Sequence, residues 1–259
     1  MFASCANLET APELPATKLA KGCYAGLFMD CESLKAAPEL PATELAKECY
    51  SSMFYGCTAL ETVPVLPATE LAEACYMRMF YGCANLKTAP ELPAETLQPR
   101  CYMSMFNGCT NLEQAPVLPG ANLVSSCYRN MFNGCEKIDR IVVGFTEWND
   151  DAGATFDWLA GVAESGNFVC PDELVVDANH RDNPSAVPTG WLVNGCTLTF
   201  DAGGRTDVSC VVYDLDGNVI EPDEDGSYSA DKGTRMKILF ISTDPTKVFV
   251  PTLADVTLE

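Results

Sequence analysis

Met53-Phe54-Tyr55-Gly56-Cys57 returns as Met79-Phe80-Tyr81-Gly82-Cys83, Met105-Phe106-Asn107-Gly108-Cys109 and Met131-Phe132-Asn133-Gly134-Cys135. Looser copies stand at Met1-Phe2-Ala3-Ser4-Cys5 and Leu27-Phe28-Met29-Asp30-Cys31. The phenylalanines fall at positions 2, 28, 54, 80, 106 and 132, evenly spaced and with no insertion. A fixed 26-residue period predicts a stacked solenoid, because one such unit cannot bury its own apolar face and needs its neighbours.

Working outward, the unit runs from 34 to 59. Leu34-Lys35-Ala36-Ala37-Pro38-Glu39-Leu40-Pro41 reads as a short extended segment, since its two prolines oppose helix. Leu34, Ala37 and Leu40 are its inward positions. Thr43 is a candidate helix cap. The spacing then predicts a helix from about Leu45 to Tyr55, with Leu45, Cys49 and Met53 on one face and Tyr50 and Phe54 on the next, ended by Gly56. Stacking joins Leu8, Leu34, Leu60, Leu86 and Leu112 into one spine and Leu14, Leu40, Leu66, Leu92 and Leu118 into a second. The phenylalanines form a third.

At 259 residues and 47% hydrophobic content the chain is long and apolar enough for a sizeable folded core. No apolar run is long enough to span a bilayer. The net charge is −20, and 13 of the 36 acids and 8 of the 16 bases lie in 1–135, so the second half is the more acidic. Such a surface repels phosphate backbones and anionic lipid, which argues against nucleic acid as a partner. Eleven of the 14 cysteines follow the repeat, as Cys5, Cys31, Cys57, Cys83, Cys109, Cys135 and as Cys23, Cys49, Cys75, Cys101, Cys127; Cys170, Cys196 and Cys210 remain. Repeat-locked cysteines are core positions first. On one helix Cys49 and Cys57 would stand about 12 Å apart, too far to bridge. No Cys-x-x-Cys pair suggests zinc. Free thiols fit this pattern, while an exported chain would favour disulfides; both readings stand at this point.

Phe-x-x-Cys-x-x-Leu followed by Pro-x-Leu-Pro resembles the BspA-like leucine-rich repeats of bacterial cell-surface proteins. The variant Cys-Tyr-x-x-Met-Phe-x-Gly-Cys resembles surface proteins of Bacteroides-type bacteria, and the match covers 1–138. The resemblance implies an α/β fold: a curved leucine-rich-repeat solenoid of short parallel strands plus short helices. It implies export to the cell surface or extracellular space, and an adhesin-like protein that binds host protein, matrix or glycan and has no catalytic residues. The alternatives are a passive spacer and, with less support, a glycan-acting enzyme. Met1 stands at a repeat position, so the expectation is a chain that begins inside the solenoid, with upstream repeats and any signal or anchor outside it.

The expected domains are the solenoid at 1–138, its C-terminal cap at 139–195 and a small β domain at 196–259. In the cap, Ile141-Val142-Val143 reads as a last strand, Thr155 to Ala163 as a short helix, and Phe168-Val169-Cys170-Pro171 as a strand closed by Gly190-Trp191-Leu192-Val193. The pattern resembles the closing segment that follows such repeats, which covers the last open coil. From Cys196 the periodicity becomes two, with strand candidates Thr197–Phe200, Val208–Tyr213, Arg235–Ile241 and Lys247–Val250, and turns at Asp216-Gly217 and Asp225-Gly226. A sandwich-like arrangement of six or seven strands is expected.

The candidate ligand-binding surface is the exposed ladder after the inward leucine: Glu9, Lys35, Glu61, Lys87 and Glu113, flanked by Thr10, Thr62, Thr88 and Gln114. The alternation of Glu and Lys also fits simple pairing along the stack. Asp214, Asp216 and Asn218, with Asp225, resemble part of a calcium loop, but Gly217 stands two places early and a hairpin turn explains them as well. His180, the lone histidine, reads as a solvated loop residue with no triad around it. No cofactor or metal is assigned.

Overall fold

The fold is described from a computed structural model, which covers residues 2–181, 185–194, 196–198, 208–213, 219–222, 228–230, 235–242 and 253–257. The chain divides into two compact units, Met1–Trp191 and Leu192–Glu259.

In the first unit the phenylalanines stand in a row. Phe2, Phe28, Phe54, Phe80, Phe106 and Phe132 stack with ring centroids 5.6–5.7 Å apart. Tyr24, Tyr50, Tyr76, Tyr102 and Tyr128 form a second stack at 5.8–6.0 Å. Leu34, Leu60, Leu86, Leu112 and Ile138 are fully buried, as are the cysteines from Cys49 to Cys135. Parallel bridges join Thr10 to Ala36, Ala36 to Thr62 and Thr88 to Gln114. These are the marks of a repeat-like fold in which successive coils pair in parallel.

The expected helices do not form. Among the described residues there is no α-helix, only a 3-10 turn at Ala178–His180. Along the 45–57 arm, alternate amides do different work. Cys49, Ser51, Met53, Tyr55 and Cys57 donate to the carbonyl three positions back at 3.1–3.2 Å, closing successive turns. Glu48, Tyr50, Ser52, Phe54 and Gly56 donate instead to the next coil, to the carbonyls of Glu73, Cys75, Met77, Met79 and Tyr81, at 2.8–3.0 Å. Every fourth residue is left-handed: Glu48 (φ 59°), Ser52 (φ 55°) and Gly56 (φ 70°). A helix with its side chains is about 10–12 Å across. Coils whose rings stack at 5.6 Å leave no room for one helix per coil. The turn chain has a four-residue repeat and therefore buries the same pairs a helix would, Cys49 with Tyr50 and Met53 with Phe54. The four-residue pattern is thus real, and its reading as a helix is corrected.

The coil that spans 153–161, the sixth to carry a full left-handed trio, follows the same path with one extra residue. Tyr102 N donates to Cys127 O, whereas Tyr128 N donates to Ala154 O, one position further along the chain than the interior spacing would place it. The left-handed trio Ser126, Asn130 and Gly134 is continued by Gly153, Asp157 and Gly161. Thr155 therefore stands at the tyrosine position, Trp158 at the methionine position and Leu159 at the phenylalanine position. The helix expected from Thr155 is the same turn chain. Strands β1 (Arg140–Val142), β2 (Gly166–Val169) and β3 (Trp191–Val193) follow as one sheet in the order β1-β2-β3, with β1 and β2 parallel. A Cβ at Gly166 would come within 2.7 Å of the Trp191 ring, so this close approach needs glycine.

From Cys196 onward the described strands of the second unit pair antiparallel. β4 (Cys196–Leu198) pairs with β7 (Tyr228–Ala230). The other sheet runs β6 (Val219–Ile220), β5 (Val208–Tyr213), β8 (Arg235–Ser242), β9 (Leu253–Thr257). Period-two alternation makes β5 and β8 legible in the sequence; the short β6, β7 and β9 carry no such signal. The strand expected at Lys247–Val250 and the turns at Asp216 and Asp225 lie outside the described residues.

Candidate ligand-recognition surface

The parallel bridges that align the coils also position the candidate residues. Thr10, Ala36, Thr62, Thr88 and Gln114 are bridge residues, and Glu9, Lys35, Glu61, Lys87 and Glu113 each precede one of these positions by one. All ten are exposed. The backbone ties the neighbours directly: Glu61 N donates to Lys35 O and Glu113 N to Lys87 O, both at 2.9 Å.

Pairing along this ladder is not found. Among the described residues no ion pair joins Glu9, Lys35, Glu61 and Lys87 to one another, and Glu113 meets Lys137 at 3.6 Å instead. The cross-coil pairs lie on other arms: Lys18 with Glu44 at 2.5 Å, Lys47 with Glu73 at 2.7 Å, and Arg100 also on Glu73. The Lys47 and Arg100 hydrogen bonds hold the Glu73 carboxyl below the usual carboxylate range. The charged strand ladder thus presents both signs, in register, and among the described residues only Glu113 of its five charges is in an ion pair.

The lone histidine is not a solvated loop residue. His180 keeps only 18% side-chain exposure. Its ring stacks on Trp148 at 4.7 Å. Nδ1 lies 2.8 Å from Asp177 Oδ1, and Nε2 lies 3.4 Å from Asp150 Oδ2. His180 holds the Asp177 carboxyl below its usual range, helped by the Asn179 amide. The Asp177-x-x-His180 spacing is the available sequence signal; the partner Asp150, a coil earlier, leaves none. No nucleophile completes a triad here, because the ring faces carboxylates on both sides.

The thiols of the two repeat ladders are free in the structure, with Cys5 and Cys23 exposed. Cys57, Cys83, Cys109 and Cys135 each donate Sγ–H to the carbonyl of Phe28, Phe54, Phe80 and Phe106, at 3.0–3.2 Å. Burial pushes the Cys49 thiol up to about 11 and Cys57 to about 12, and raises Cys83 and Cys109 as well. Nucleophilic attack and metal binding need the thiolate, so this ladder is chemically quiet at neutral pH.

Among the described residues no group of three or more His, Cys, Asp or Glu is placed to hold a metal ion. The calcium reading of Asp214, Asp216 and Asn218, with Asp225, lies outside the described residues. No helix among the described residues is long and apolar enough to cross a membrane. No family model, curated protein or solved structure matches the chain.

Proposed function

We propose that residues 2–138 form a solenoid of 26-residue leucine-rich-type repeats, and that the chain is a non-catalytic binding protein of the cell surface or extracellular space. The ladder of Glu9, Lys35, Glu61, Lys87 and Glu113, with Thr10, Thr62, Thr88 and Gln114, recognises a protein, matrix component or glycan. One observation carries this reading: the ladder is exposed and in register, and its consecutive charges form no ion pairs with each other. Charges held at fixed spacing on a rigid sheet select a partner mainly through electrostatic complementarity. The resemblance to BspA-like repeats supports export and an adhesin-like role.

The test is a binding panel of immobilised chain against matrix proteins and glycans. A specific ligand should lose about tenfold or more in affinity to the charge-swapped Glu61→Lys/Lys87→Glu variant. Failure across the panel favours the passive spacer. Glycan turnover abolished by substitutions in 196–259 would replace the reading with an enzyme.

A further inference from the structure

A second strip crosses the coils four positions beyond the charged ladder, at Glu13, Glu39, Val65, Glu91 and Val117. It is grooved. A cleft of about 620 Å³ opens between Glu13, Leu14 and Pro15 on one coil and Glu39 and Pro41 on the next. A further cleft of about 290 Å³ continues it past Glu39 and Pro41 to Val65 and Pro67.

Two features set this strip apart. Val65 and Val117 are 78% and 56% exposed, among the most exposed large apolar side chains described. Its three acids have no basic residue among them, and no ion pair among the described residues engages Glu13, Glu39 or Glu91. The same molecule shows the contrary arrangement elsewhere: Lys18 answers Glu44 across coils, and Lys47 and Arg100 both answer Glu73. Glu13 and Glu39 hold equivalent positions on adjacent coils and line the same cleft, where like charges repel.

We propose that this groove docks an extended peptide segment of a partner protein that carries lysine or arginine two residues from an aliphatic residue. A single ammonium or guanidinium head reaches both Glu13 and Glu39, because they sit one coil apart. An aliphatic side chain two residues on, which an extended peptide presents on the same face, covers Val65 between Pro41 and Pro67. The prolines remove amide donors from the groove walls, so recognition runs through side chains and not through added strand pairing. The assignment rests on reading the chain as a binding protein but uses a different face from the charged ladder.

The experiment uses the full chain and the blocked peptide Lys-Ser-Val-Ser-Lys, whose Lys and Val side chains share one face when extended, in calorimetric titration, with Glu-Ser-Val-Ser-Glu as control. Saturable binding of the basic peptide alone is expected. Glu13→Gln/Glu39→Gln should weaken it about tenfold, and Val65→Ser about threefold. Glu147→Gln/Glu173→Gln, which removes the same charge elsewhere, should leave it unchanged. No saturation by about 1 mM peptide overturns the proposal. Equal weakening by the Glu147/Glu173 pair also overturns it, since overall acidity would then be the attractant. So does a Val65→Ser variant that binds as the parent does. Loss of panel ligands by Glu61→Lys/Lys87→Glu is independent of these outcomes and separates failure of this groove from failure of the binding reading.

Discussion

The interior coils and the sixth coil follow one backbone path with different side chains. From Phe28 to Phe132 each coil repeats its neighbour, and identical rings stack at even steps. In the sixth coil the tyrosine becomes Thr155, the methionine becomes Trp158 and the phenylalanine becomes Leu159, yet the amide ladder continues, with Phe132 N on Trp158 O at 2.9 Å and Gly134 N on Ala160 O at 2.7 Å. Trp158 reaches across the space left by the smaller threonine and stacks on Tyr128 at 6.3 Å. All three tryptophans lie between 148 and 191, and each indole N–H donates to a carbonyl of another coil: Trp148 to Val175, Trp158 to Ala186 and Trp191 to Ala163. Repetition holds the interior through equal contacts on both sides. The closing coils lack an identical neighbour, so large rings with a polar handle take over both filling and register.

The sharpest break in the interior is Phe80→Ala. It removes a fully buried ring stacked on both faces and should cost about 3–5 kcal/mol in urea unfolding. A cost near ~1 kcal/mol would mean that the coils slide to close the gap.

Trp158→Met restores the interior residue at the closing coil. It loses the stack on Tyr128 and the indole bond to Ala186 O at 3.3 Å, for an expected cost of about 2–3 kcal/mol. If thermal melting shows no loss, the interior and closing coils are interchangeable and the contrast fails.

Tyr76→Phe probes the interior more gently. Burial raises the Tyr76 hydroxyl above its ordinary value, and the hydroxyl has no hydrogen-bond partner among the described residues. Its removal should leave stability within about 0.5 kcal/mol or raise it. A loss above about 1 kcal/mol would reveal a partner for the hydroxyl.

His180→Asn is the mildest test and touches only the closing coils. His180 depresses the folded-state pKa of Asp177, so its contribution is present above the unfolded carboxylate value and is lost as pH falls through the lower folded value. The parent melting temperature should therefore fall more steeply than that of the variant as pH drops below about 4. Parallel curves would show that the pair adds nothing to stability.

Much of this is legible in the chain alone. The phenylalanine, leucine and cysteine ladders, the exposed Glu/Lys row, the last strand near Ile141 and the two longest strands of the second unit all lie where periodicity places them. The helix is a misreading because Cys49/Met53 and Tyr50/Phe54 fit a four-residue turn chain as well as a 3.6-residue helix. Side-chain spacing alone does not tell which carbonyl each amide meets. His180 is misread because its second carboxylate, Asp150, comes from another coil.

By itself the sequence determined a repeat-like order and which residues face inward, because a strict period places every apolar contact at the same point. Only the tertiary structure decided that the arm is a chain of turns, that consecutive strand-face charges do not pair with one another while Glu73 gathers two bases, and that His180 sits between two carboxylates. Each of these depends on which groups meet across coils, and the distance between coils is set by backbone hydrogen bonding in three dimensions, not by order along the chain.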